Sequence, residues 1–84
     1  MDNRIMKFQV FCIEIYKVHR CLTGKEVVKL FEKYGVLDYL SDNYDVLHTV
    51  GEDYINEDID IYLKNRGANF WNNSPTLLKF SSIF

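Results

Sequence analysis

Apolar residues recur along this chain at spacings of three and four, and the recurrences stop at glycines. From Thr23 to Arg66 the pattern reads as three helices punctuated by Gly35 and Gly51. Thr23 predicts a capping box: its hydroxyl accepts from the Glu26 amide, and the Glu26 carboxylate reaches back to the Thr23 N–H. Val27, Leu30, Phe31 and Tyr34 form the inward stripe of that helix, Lys25, Lys29 and Lys33 its outer face, and Gly35 its stop. Leu37, Leu40, Tyr44 and Leu47 carry a further helix to about Thr49, with Ser41-Asp42-Asn43 as a point where it could divide. Asn56 predicts an N-cap, with Glu57 and Asp58 at the positive end of the dipole and Ile55, Ile59, Tyr62 and Leu63 inward. Gly67 closes that last helix.

The first element fits two templates. Ile5, Phe8, Cys12, Ile15, His19 and Leu22 follow helical spacing, while Phe11, Ile13 and Ile15 alternate with Cys12, Glu14 and Tyr16 as a strand would. Length decides for helix, because about 18 residues without Gly or Pro is long for a strand. Val10, Phe11, Ile13 and Val18 fall off the main stripe, so apolar residues nearly encircle this helix. Such a helix is central to its domain or is covered by another chain. The expected fold is therefore all-α, a small bundle of about four helices near 3–21, 24–34, 37–49 and 57–66. Residues 1–67 form the helical domain, and 68–84 an irregular C-terminal extension.

An 84-residue chain makes one domain with a small core, burying roughly 60% of its unfolded surface. Six Tyr, six Phe and Trp71 offset that with large area per side chain. The net charge of −2 conceals segregation. Residues 1–33 hold seven Lys or Arg against four acids, whereas residues 34–63 hold eight acids and no Lys or Arg. That acidic middle opposes a phosphate backbone and suits either solvent or a basic partner. The polar start, without a small-residue cleavage site, and the lack of any spanning apolar run lead us to expect a cytoplasmic protein off the membrane. Cys12 and Cys21 on one helix face opposite ways, about 13 Å apart along the axis, so both are expected as thiols.

Little catalytic chemistry is legible. His19, Cys21 and His48 lack a zinc-ligand spacing, and imidazoles near helix C-termini are explained by the dipole. The acids of EDYINEDIDIY are interleaved with Ile55 and Ile59 and lack the central glycine of a calcium loop. No phosphate-binding glycine loop, nucleophile elbow or metalloprotease helix is present. The expectation is a chain without enzymatic activity and without a cofactor or metal.

Three segments, FQVFCIEIYK, TGKEVVKLFEKYGVLDYL and YDVLHTVGEDYINEDIDIYL, together resemble the small bacterial family called domain of unknown function 3791. The resemblance covers about residues 5–66 and includes Glu14, Tyr16, Lys17, Glu26, Phe31, Tyr34, Gly35, Tyr44, His48, Gly51, Tyr54, Asp58 and Asp60. It implies a compact helical domain. It also implies a genomic neighbour resembling ADP-ribosyltransferase-type toxins.

The expected function is a non-enzymatic protein–protein interaction module, in its specific form the antitoxin-like partner of such a toxin. A self-associating structural or regulatory protein, with α-helical residues Val10, Phe11, Ile13 and Val18 as a homodimer seam, is the alternative. A nucleic-acid regulator using Lys25, Lys29 and Lys33 ranks below both, given the acidic middle. The tail offers a second candidate surface at Trp71, Leu78, Phe80 and Phe84. It either adds a strand to a partner's sheet edge or, turning at Asn72-Asn73-Ser74-Pro75, folds back over its own core.

Overall fold

The computed structural model describes residues 3–68, which form five helices and, among the described residues, no strand. These are α1 (Arg4–Arg20), α2 (Gly24–Tyr34), α3 (Val36–Asp42), α4 (Tyr44–Leu47) and α5 (Glu52–Asn65). α1 packs against α2, α3 and α5 and is the axis of the bundle.

α1 is one continuous helix of 17 residues. Its buried positions are Phe8, Cys12 and Tyr16. Each step of four residues rotates the face by about 40°, so burial migrates around α1 along its length. Phe8 meets Tyr44 of α4 edge-on, with ring centroids 5.4 Å apart, whereas Tyr16 meets Phe31 of α2 at 5.4 Å. This drift corrects the expected stripe. Ile15 is only half-buried and His19 is exposed, because Tyr16 takes the inward place that a straight stripe assigns to them.

The turns follow local chemistry. Cys21 ends α1 in the left-handed region at φ 56°, and the Leu22 N–H reaches back to the Lys17 carbonyl at 3.0 Å. A residue with a β-carbon is costly there, where glycine is usual. The capping box of α2 is present in both directions: Glu26 N–H to Thr23 Oγ1 at 3.1 Å, and Thr23 N–H to Glu26 Oε1 at 2.9 Å. The Thr23 N–H bond to the carboxylate, and then the Thr23 side chain, lower the pKa of Glu26. Gly35, at φ 70°, both closes α2 and opens α3. The Tyr62 hydroxyl holds this corner by donating to the Tyr34 carbonyl at 3.0 Å.

The expected helix over 37–49 divides at Asn43. Its side-chain amide donates to the Tyr39 carbonyl at 2.8 Å, the same acceptor that its backbone N–H uses at 3.1 Å. Such side-chain competition with the ladder favours a break. The last helix also starts earlier than expected, at Glu52 instead of 57. Gly51 is extended, and Glu52 and Asp53 fill the first-turn role assigned to Glu57 and Asp58. Asn56 is therefore no cap. It lies inside α5, buried, and its Oδ1 has no hydrogen-bond partner among the described residues. Gly67, at φ 89°, lies just past the end of α5, as expected.

The core joins Phe8, Cys12 and Tyr16 to Val27, Phe31, Val36, Leu40, Leu47, Ile55, Ile59, Leu63 and Ala68. Cys12 is a small core hydrophobe, and burial pushes its thiol up to about 12. Cys12 and Cys21 are both free thiols.

Candidate functional site

The densest polar constellation lies where the last turn of α1 faces α5. Tyr16, His19 and Arg20 occupy one helical face by their spacing of three and four, and all three converge on Asp60. The Tyr16 hydroxyl donates to Asp60 Oδ1 at 2.6 Å. Arg20 reaches the same oxygen through Nε at 3.1 Å and Nη2 at 3.0 Å. His19 Nε2 lies 2.7 Å from Oδ2, and since a carboxylate only accepts, that nitrogen carries the proton. Burial, and then the Asp60 carboxylate, push the Tyr16 phenol far above its ordinary range. It is a fixed neutral donor, unsuited to act as a base or nucleophile near neutral pH. The cluster is a clamp between α1 and α5.

A second clamp sits on the other flank of α5. Tyr39 donates to Asp58 Oδ2 at 2.6 Å and stacks on Tyr62 at 4.2 Å between centroids, with the Arg66 guanidinium 4.8 Å from the Tyr62 ring. Burial and the Asp58 carboxylate push the Tyr39 phenol up to about 12. Asp58 and Asp60 thus point to opposite flanks, each holding a tyrosine. His48, just past the end of α4, is stacked on Tyr44 at 4.3 Å, while His19 serves Asp60 on the last turn of α1. Among the described residues, no three His, Cys, Asp or Glu side chains are grouped to hold a metal ion.

What stays uncommitted is apolar surface. On α1, Met6 is 57% exposed, Val10 52%, Phe11 41% and Val18 79%, while Ile13 is half-buried against the core. At about 100° per residue, Met6, Val10 and Ile13 share one strip at spacings of four and three. Phe11 and Val18, seven apart, lie on the other side of the exposed face. The structure therefore divides the expected four-residue seam into two. Sequence reading missed Met6, which belongs to the first strip and could have been found from the i, i+4, i+7 spacing. It also missed Tyr54 and Ile61, exposed on the outer face of α5 and seven residues apart. Trp71, Leu78, Phe80 and Phe84, the tail's candidates, lie outside the described residues.

Residues 7–66 match the model of the family described as "Protein of unknown function (DUF3791)", and the chain belongs to that family. No curated protein and no solved structure matches it. Most residues that carry the resemblance have structural work in this fold: Tyr16 and Asp60 in one clamp, Asp58 in the other, Glu26 and Gly35 at helix ends, Tyr44 under His48. Tyr54 is the exception, exposed on α5.

Proposed function

We propose that this chain is a non-enzymatic protein-interaction module that docks a partner on the outer face of α1. The observation carrying the reading is the exposure of Met6, Val10 and Val18 on a helix already packed against three others. Exposed apolar surface on a small domain is costly in water and marks a place where another surface sits. The two tyrosine–carboxylate clamps support the reading from the other side, since they absorb the polar groups from which a reactive centre would be built. In its specific form the partner is the protein encoded beside this chain, a toxin of ADP-ribosyltransferase type, with this chain as its antitoxin-like counterpart. That form rests on the family resemblance.

A second reading, self-association, is favoured by one feature. The Met6, Val10 and Ile13 strip has the i, i+4, i+7 spacing of a helix–helix seam, which a second copy could match across a two-fold axis. Sedimentation velocity on the full chain, alone and with the neighbour-encoded protein, separates the two. A heterocomplex abolished by Val10→Glu supports the module, and a homodimer abolished by the same change supports self-association. A monomer that forms no complex with the neighbour-encoded protein rejects both.

A further inference from the structure

The outer face of α5 carries apolar surface and charge together. Tyr54 and Ile61 are each more than half exposed there, about 10 Å apart along the helix axis. Between them lies a shallow hollow of about 120 Å³, lined among the described residues by Tyr54, Glu57, Asp58 and Ile61. Asp58 is committed, since it accepts from the Tyr39 hydroxyl at 2.6 Å. Glu57 is exposed and sits in the second turn, past the end of the dipole that Glu52 and Asp53 complement in the first. The positions one turn away from it on α5 are Asp53, Tyr54, Asp60 and Ile61, so its own helix supplies it no cation. Residues 34–63 as a whole hold eight acids and no Lys or Arg.

Size and charge together decide what this face receives. The hollow is smaller than the roughly 300–1,000 Å³ of small-molecule sites and has room for a single side chain. Its carboxylates repel a phosphate backbone and the anionic headgroups of a bilayer alike. A second copy meeting this face across a two-fold axis would set Glu57, midway between Tyr54 and Ile61, against its own counterpart. A basic segment meets none of these costs. The spacing of Tyr54, Glu57, Asp58 and Ile61, at i, i+3, i+4 and i+7, is that by which one helix receives the ridge of another.

We propose that the outer face of α5 docks a basic amphipathic helix of a partner protein. One aliphatic side chain of that helix seats between Tyr54 and Ile61, and a Lys or Arg one turn from it pairs with Glu57. An exposed ion pair alone adds little affinity, so the apolar contact holds the helix. The carboxylates set the rate of encounter and the choice of partner. This is a second surface beside the outer face of α1, and its test is read at α5 amides, so failure of docking on α1 leaves it standing.

The test uses the full chain, labelled for amide NMR and titrated with three alanine-based helical peptides. The first carries one Leu with Lys one turn to either side, the second has Ala for that Leu, and the third has Glu for each Lys. The first should move the amides of residues 53–61 and bind at least about tenfold more tightly than the Glu peptide. Ile61→Ser should weaken the Leu peptide and leave the Ala peptide unchanged. Glu57→Lys should reverse the charge preference, so that the Glu peptide becomes the tighter, which a damaged fold would not produce. Glu57 is exposed and belongs to neither clamp, so its replacement leaves folding intact. Equal binding of the Lys and Glu peptides, an unreversed preference in Glu57→Lys, or indifference to Ile61→Ser would each overturn the proposal. So would shifts centred on the Met6, Val10 and Ile13 strip, or no shift at millimolar peptide. Movement of the same α5 amides on concentrating the chain alone would assign the face to a second copy and overturn it too.

Discussion

Replacing Asp60 by Ala should destabilise this domain more than any other surface-proximal carboxylate change. The substitution leaves the Tyr16 hydroxyl, on a fully buried side chain, without its acceptor. An orphaned buried donor costs about 1–3 kcal/mol. It also takes the Asp60 carboxylate away from Arg20 and His19, at side-chain exposures of 19% and 34%. Pairs of that exposure fall between the roughly 0–1 kcal/mol of surface ion pairs and the 3–5 kcal/mol lost when a buried pair is broken. Alanine returns about half a kcal/mol through helix propensity. The net loss is about 3 kcal/mol, against a total stability of roughly 4–13 kcal/mol for a chain of this length. The midpoint of thermal unfolding should fall by roughly 12–24 °C. Tyr16→Phe removes one bond while Asp60 keeps Arg20 and His19, so it should cost only about 1 kcal/mol. The double variant should then cost at least about 1 kcal/mol less than the sum, because no hydroxyl is left orphaned. Urea unfolding of the four proteins, followed by the helical circular dichroism signal, measures the cycle. A loss under about 0.5 kcal/mol for Asp60→Ala, or strict additivity, would refute the clamp.

Three further outcomes follow from single residues. Cys21→Gly should raise stability by about 0.5–1 kcal/mol, because Cys21 holds a left-handed φ of 56° that glycine adopts freely; a lower urea midpoint would contradict this. Asn56→Leu should raise the melting temperature, since it removes a buried oxygen without a partner while keeping the branched side-chain skeleton; a fall would contradict the assignment of a net cost to that oxygen. Stability should hold near neutral pH and fall above about pH 9. The folded state raises the thiol of Cys12 from 9.0 to about 12 and the phenol of Tyr39 from 10.0 to about 12, so the unfolded chain releases those protons first. Tyr39→Phe should flatten the loss between pH 10 and 12, and an unchanged alkaline limb would disprove the assignment.

The helical architecture was legible wherever a local rule determined it. Thr23 and Glu26 announce their capping box within four residues, and Gly35 marks a corner that needs positive φ. The start of α5 was misread because Asn56 with Glu57 and Asp58 imitates a cap. Gly51 with Glu52 and Asp53 makes a better one, and choosing between them depends on burying Asn56 against the rest of the fold. The Asp60 clamp joins residues 40 to 44 positions apart, so no local pattern could show it. The inward place of Tyr16 follows from that same clamp and from Phe31, both tertiary. Exposure on α1 was half-legible: apolar excess is visible in composition, but which residues share a strip depends on where the other helices lie.

The central claim is that the outer face of α1 is a docking surface. Among the described residues no helix is long and apolar enough to cross a membrane. Amide-resolved NMR of the full chain, with the neighbour-encoded protein added stepwise, tests it most directly. The account predicts broadening or shifts concentrated on Met6, Val10, Ile13 and Val18, with the Lys25, Lys29 and Lys33 face of α2 unaffected. Changes on that lysine face with α1 untouched would contradict it.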